Sequence, residues 1–219
     1  MVARQQSDER AILLCALFGY GSAKAIVRFL SSLDFRVLEG PESSIRRGLD
    51  GRYYRFQTNR DVVEAFCALH RLERGAMRSI FMEHYKKNRR VIDGVFALIE
   101  AIDARTTKKS RGIRFLFGNV PERRVPISPY KRWMMFLRWM VRKDSLDLGL
   151  WEDVDRRDLV IPLDTHTFHT GRRLGLIRRK SYDWKAAVEL TKALKSFDPD
   201  DPVRYDFALY RWGQEKIVV

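Results

Sequence analysis

Residues 128 to 170 read SPYKRWMMFLRWMVRKDSLDLGLWEDVDRRDLVIPLDTHTFHT, and the fold turns on how the two ends of this stretch are read. Ser128 suits an N-cap and Pro129 a first helical position, which predicts a helix to about Lys143 with Lys131 in its first turn. At 100° per residue, Tyr130, Trp133, Met134, Phe136, Leu137, Met140 and Val141 make one broad apolar arc. Lys131, Arg138 and Arg142 fall on the opposite side, with Met135 and Trp139 beside them. A surface helix has no packing reason to put Met and Trp on its basic side. Further on, LVIPL is a short apolar run ending at Asp164, which reads as the N-cap of a second helix over Thr165 to Arg173. One lysine and one aspartate therefore each stand at a helix start.

Outward from this stretch the chain reads as further helices. Ser7 is expected to cap a helix through about Phe18, and a second starts at Ser22 and runs to about Leu33, across the turn Gly19-Tyr20-Gly21. Leu38 to Gly51 reads as a short helical loop, and Tyr53 to Phe56 as a small aromatic knot. Asn59 is expected to cap a helix to about Leu72, and helices follow over Ala76 to Tyr85 and Asn88 to Asp103. Residues 105–125 are the least periodic and read as a basic loop. Asp183 caps Trp184 to Ser196; Asp201 caps and Pro202 opens a last helix to Trp212. Clear strands are missing, so the expected class is all-α.

A chain of 219 residues with 45% apolar content can bury a sizeable core. Its 42 basic residues against 28 acidic ones leave a net charge of +14, which favours a polyanionic partner, nucleic acid above all. Lys108, Lys109, Arg111, Arg123 and Arg124 lead into Lys131; Arg132 and Arg142 share its helix; His169, Arg172 and Arg173 follow Asp164. All are candidates for contacts to phosphates. No apolar run of membrane-spanning length occurs and the N-terminus lacks the apolar core of a signal peptide, so a cytoplasmic protein is expected. Cys15 and Cys67 suit a reducing compartment and are too few for a four-cysteine iron–sulfur cluster. His166 and His169 lack further partners at metal-binding spacing, so no metal is expected.

The chemistry available to such a stretch is that of a nucleophilic amine. A lysine attacks only when neutral, and helix N-terminal amides together with Arg132 and Arg138 disfavour the ammonium. A neutral amine can displace a base at C1′ of a nucleoside and form a Schiff base with the opened sugar. A carboxylate must stabilise the positive charge that develops on the sugar, and Asp164 supplies one if the two helix starts face each other. Met135, Arg138 and Trp139 lie close enough along the helix to line a pocket for the displaced base. In the last helix Asp206 shares a face with Val203, Phe207, Leu209 and Tyr210. An acid on an apolar face is either paired with an arginine or functional.

DTHTFH resembles the aspartate-bearing segment of helix-hairpin-helix DNA glycosylases. Asp164, Thr165, His166 and Phe168 match the VDTHIFRV of endonuclease III. KRWMMFLRWMVR, LDLGLW, IPLDTH and FDPDDPVRYDFAL resemble a little-described bacterial family of that superfamily, and the long Lys131-to-Asp164 interval is similar to that of archaeal 8-oxoguanine glycosylases. The glycine-rich LPGVG hairpin is absent, with Val125 to Pro129 in its place, and Tyr130 stands where a cysteine often precedes the family's lysine. The resemblance implies a two-lobed glycosylase fold, with lobes over about 7–130 and 131–219 and the active site in the cleft between them. It implies Lys131 and Asp164 as catalytic residues, Tyr20 as a wedge in the duplex, and Asp206 and Tyr210 as lining the base pocket. The activity implied is excision of an oxidised base, 8-oxoguanine first, with abasic-site lyase activity. The substrate would be damaged double-stranded DNA in the nucleoid, handled by a monomer without a cofactor. Oxidised pyrimidines as substrate, or a non-catalytic helical DNA-binding protein, are the alternatives.

Overall fold

The computed structural model, in which residues 2–215 are described, contains eleven α-helices, four short 3-10 helices and no strand among those residues. The all-α class is therefore as the periodicity predicts. The chain divides into two compact units, Met1–Val120 and Pro121–Val219. No helix among the described residues is long and apolar enough to cross a membrane.

The first unit is built around α1 (Glu9–Leu17), in which every residue after Glu9 is buried. Its cap is Asp8 rather than Ser7. The Asp8 carboxylate accepts from the Arg10 amide at 2.9 Å and pairs with the buried Arg10 guanidinium. Then come α2 (Ala23–Ser31), α3 (Glu42–Gly48), α4 (Asn59–His70), α5 (Ala76–Asn88) and α6 (Val91–Arg105). Ser22, the expected start of α2, is its N-cap, its hydroxyl accepting from the Ala25 amide, and α4 is capped by Thr58 rather than Asn59, because the Thr58 hydroxyl accepts from the Asp61 amide. α5 and α6 pack against each other, with Gly94 giving the Phe81 ring its place. Cys15 and Cys67 are free and buried in this unit, and burial pushes their thiols up to about 12 and about 11.

α7 (Arg111–Phe117) lies where an irregular basic loop is expected. Seven residues are too few to declare a helical period, and isolated helices of that length are marginal. Tertiary contacts hold it. Ser110 caps it by accepting from the Ile113 amide, and the same hydroxyl donates to the Asp61 carboxylate of α4. Gly112 permits the approach, since a Cβ there would lie 2.5 Å from an Asp61 carboxylate oxygen.

The second unit holds α8 (Lys131–Val141), α9 (Thr165–Arg173), α10 (Trp184–Leu194) and α11 (Asp206–Glu215). The long α8-to-α9 connection is anchored by Trp151, which is buried edge-on against Phe136 at 5.4 Å and donates its amide to the Met140 carbonyl at 2.7 Å. α11 packs along α9. Gly213 makes that possible, because a Cβ there would meet the Thr170 hydroxyl at 2.7 Å.

Candidate active site

Lys131 and Asp164 come together in the second unit, each at a helix start. Lys131 is the first residue of α8, and the residue before it, Tyr130, is in the left-handed region at φ 48°. That backbone turn starts α8 two residues later than Ser128 as N-cap implies. Ser128 is instead a hydrogen-bond partner of the Tyr130 side chain. The Tyr130 ring meets Trp184 edge-on at 6.4 Å, and the Trp184 amide donates to the Ile127 carbonyl at 2.9 Å. The approach to Lys131 is thus tied to the start of α10.

Asp164 divides its carboxylate between two tasks. Oδ1 accepts from the Thr167 amide at 2.8 Å, the N-cap bond of α9. Oδ2 faces Lys131 Nζ at 3.6 Å, an ion pair just beyond hydrogen-bond length. The lysine side chain keeps 32% of its surface exposed and the aspartate 14%, so the amine stays within reach of a molecule in solution.

Three more side chains feel this carboxylate. Burial pushes the Tyr182 phenol up to about 12, with the Asp164 charge adding to the rise, and its hydroxyl donates to the Leu163 carbonyl at 2.8 Å. Burial and then Asp164 also raise Tyr210, whose ring stands edge-on to His166 at 6.0 Å. Asp206 is buried at the start of α11. Burial raises it from 3.8 to about 6; Arg138 opposes the rise, Asp164 adds to it and Lys131 opposes it.

A buried ion-pair network lies alongside. Arg138 binds Asp147 at 3.1 Å and also Asp206, while Arg142 binds Asp144 at 2.8 Å, Asp201 at 2.9 Å and also Asp147. The Asp147 side chain has no exposed surface and serves both arginines. Burial opposes the Arg142 charge, yet Asp201, Asp147 and Asp144 hold that guanidinium above its ordinary range.

The network corrects several expectations. Arg142 is not an open phosphate contact, because three carboxylates occupy its donors. Arg138 is neither a pocket-lining reader nor a driver of Lys131 deprotonation, because Asp147 and Asp206 match its charge. Asp206 is the arginine-paired acid of the two readings open for it. Asp201 gives α11's approach no side-chain cap; its carboxylate is spent on Arg142. Asp147, unremarked in the sequence, is the network's hub. Its signal was an acid inside the apolar run LDLGLW.

Of the other expected contacts, Met135 is half-buried and Trp139 is buried, so the indole belongs to the core rather than to an open wall. Tyr20 is held in an aromatic cluster, its hydroxyl donating to Gln57, and is not a free wedge. Lys109 is paired with Asp103. Lys108, Arg111, Arg123, Arg124, His169, Arg172 and Arg173 are exposed, with the Arg172 guanidinium 5.9 Å from the Phe168 ring; Arg132 is half-buried. Among the described residues no group of three or more His, Cys, Asp or Glu is arranged to hold a metal ion.

The raised Asp206 carboxyl gives a pH signature. Its folded value exceeds the unfolded one, so its contribution to stability is fully present below 3.8 and is lost as pH rises through about 6. Asp206→Asn should flatten the fall of the urea midpoint across that window. A variant midpoint that falls as steeply as the wild type's would remove Asp206 as the titrating group.

An all-α chain with a lysine–aspartate pair at two helix starts is the class that fold and site define. Residues 1–215 match the family described as "Protein of unknown function (DUF2400)", and the chain belongs to that family. This overturns the assignment to the helix-hairpin-helix glycosylase superfamily: the matching family is a different one, and no helix-hairpin-helix or glycosylase family is detected. The DTHTFH and IPLDTH segments were too short to carry that membership. No curated protein and no solved structure matches the chain.

Proposed function

We propose that the protein is a DNA base-excision enzyme, a glycosylase with abasic-site lyase activity that works through a Schiff base on Lys131. The observation that supports this reading is the one-third-exposed Lys131 side chain whose Nζ lies 3.6 Å from Asp164, each residue at a helix start. The net charge of +14 supports a polyanionic substrate, damaged duplex DNA. The enzyme acts as a monomer in the cytoplasm, on the nucleoid, and the chemistry calls for no cofactor.

Each step has a group to carry it. Lys131 gives up a proton, and its lone pair attacks C1′ of the damaged nucleoside. The glycosidic bond breaks with its electron pair leaving on the base, which takes a proton. Asp164 stabilises the sugar's positive charge as the base departs. Nζ then passes a proton to Asp164, its lone pair breaks the C1′–O4′ bond with that bond's electron pair going to O4′, O4′ takes the proton back from Asp164, and a protonated imine joins Nζ to C1′. Removal of a C2′ proton then expels the 3′ phosphate and nicks the strand.

The test is a panel of duplexes, each with one lesion, incubated with the protein and borohydride. 8-Oxoguanine is placed first and oxidised pyrimidines second. A covalent adduct on any lesion duplex supports the reading; no adduct and no released base on any duplex, abasic sites included, leaves a non-catalytic helical DNA-binding protein.

Asp164→Asn separates charge from capping. Asn keeps the bond to the Thr167 amide, so the melting temperature should change little. Base excision should slow by about a hundredfold or more, because the developing sugar cation loses its counter-charge. Single-turnover rates on a lesion duplex decide it, and near-normal excision by the folded variant would reduce Asp164 to a cap.

A further inference from the structure

The first unit carries a surface that the lysine chemistry does not use. Residues 54–57 form a tight turn in which Tyr54 and Gln57 exchange backbone bonds at 3.1 and 2.9 Å. Tyr54 and Gln57 are buried, while Arg52, Tyr53, Arg55 and Phe56 point outward. Tyr53 is 70% exposed, Phe56 51% and, on α7, Phe115 41%. Phe56 and Phe115 meet edge-on at 4.6 Å, and the Tyr20 ring supports both, at 6.0 and 5.1 Å.

This arrangement is built at a cost. Arg55 is held in the left-handed region at φ 56°, which a side chain with a Cβ disfavours, with its guanidinium 5.7 Å from the Tyr20 ring centre. Its side chain fits against Gly21, itself at φ 98°. Gln57 locks the turn from below, accepting from the Tyr20 hydroxyl and donating to the Gly112 carbonyl at 3.3 Å. Phe56 on the turn and Phe115 on α7 are thus held against each other and against the half-buried Tyr20 ring, with their outer surfaces left in water.

Charge says what they meet. On α7, Arg111, Arg114 and Phe115 share the exposed face, and residues 51–60 and 104–121 contain no acid at all. Fixed exposed rings interleaved with arginines suit a strand whose bases stack while its phosphates pair. A protein partner would have to supply both a dense acidic surface and apolar pockets.

We propose that Tyr53, Phe56 and Phe115, with Arg52, Arg55 and Arg114, form a stacking platform for unpaired nucleotides, a single-stranded binding site on the first unit. It shares with the proposed function only the nucleic-acid partner. The test uses the full chain, a fluorescein-labelled oligothymidylate, and inorganic polyphosphate as a polyanion without bases. Phe56→Ala/Phe115→Ala should bind the oligonucleotide about tenfold or more weakly, since each stacked base contributes substantially, and should bind polyphosphate as the wild type does. Phe56→Trp should keep the affinity and show indole quenching by the oligonucleotide but not by polyphosphate. Unchanged oligonucleotide affinity in the double variant, equal loss for both polyanions, or an unquenched indole in Phe56→Trp would each overturn the platform. Absence of a borohydride adduct would leave the oligothymidylate result untouched, and unchanged oligothymidylate affinity in the double variant would leave the adduct untouched, so the two readings fail independently.

Discussion

Lys131→Gln protein should give no borohydride-trapped adduct and no strand nicking, with both falling by about three orders of magnitude or more. The amide nitrogen of Gln has no basic lone pair, so attack at C1′ and imine formation stop together. The fold should survive, since the pair with Asp164 sits at 3.6 Å with the lysine about one-third exposed, and such pairs contribute about 1 kcal/mol or less. Binding to a lesion duplex should persist, measured by anisotropy at fixed salt. A Lys131→Gln protein that nicks at the wild-type rate would mean that another group does the chemistry.

Asp147→Ala should be the most damaging single change to the second unit. It leaves Arg138 and Arg142, each only slightly exposed, short of one partner, and breaking a buried pair from one side costs about 3–5 kcal/mol. Domain stabilities are about 5–15 kcal/mol, so the urea midpoint should fall by a large fraction. Arg157 and Asp200 pair at 2.9 Å with more than half of each side chain exposed. Asp200→Ala should therefore cost only about 0.5 kcal/mol or less. Equal, small losses in the two variants would show that the network contributes no more than a surface pair.

What the sequence made legible is what is local. Asp164 and Asp183 each bond an amide three residues on, and each is readable as a cap because the partner lies in the same turn. The α9 bounds follow from Asp164 in the same way. The class was legible because helical periods recur along the whole chain. The site pair was legible as two helix starts, but its closeness was not, because Lys131 and Asp164 lie 33 positions apart with an irregular connection between them.

The illegible parts depend on distant partners. Arg138 and Arg142 look like a solvated basic stripe on a helical wheel. Their carboxylates come from Asp147, a few residues on, and from Asp206 and Asp201, 68 and 59 residues away. A wheel assigns a side, and it cannot say whether that side faces water or another element. α7 is hidden for the same reason, since Asp61 and Ser110 hold it from outside its seven residues. Tyr130 shows a third limit: a left-handed tyrosine before a helix is disfavoured locally and is held by Trp184 and by the Ile127-to-Trp184 bond. The family resemblance failed for a different cause, because short motifs at a helix start are shaped by capping as much as by descent.

The most direct measurement is the position of the covalent adduct. The wild-type protein, reduced with borohydride during turnover on a lesion or abasic duplex, should carry the deoxyribose fragment on the Lys131 Nζ alone when its peptides are mapped by mass spectrometry. An adduct on another amine, or release of the damaged base with no adduct anywhere, would contradict the account.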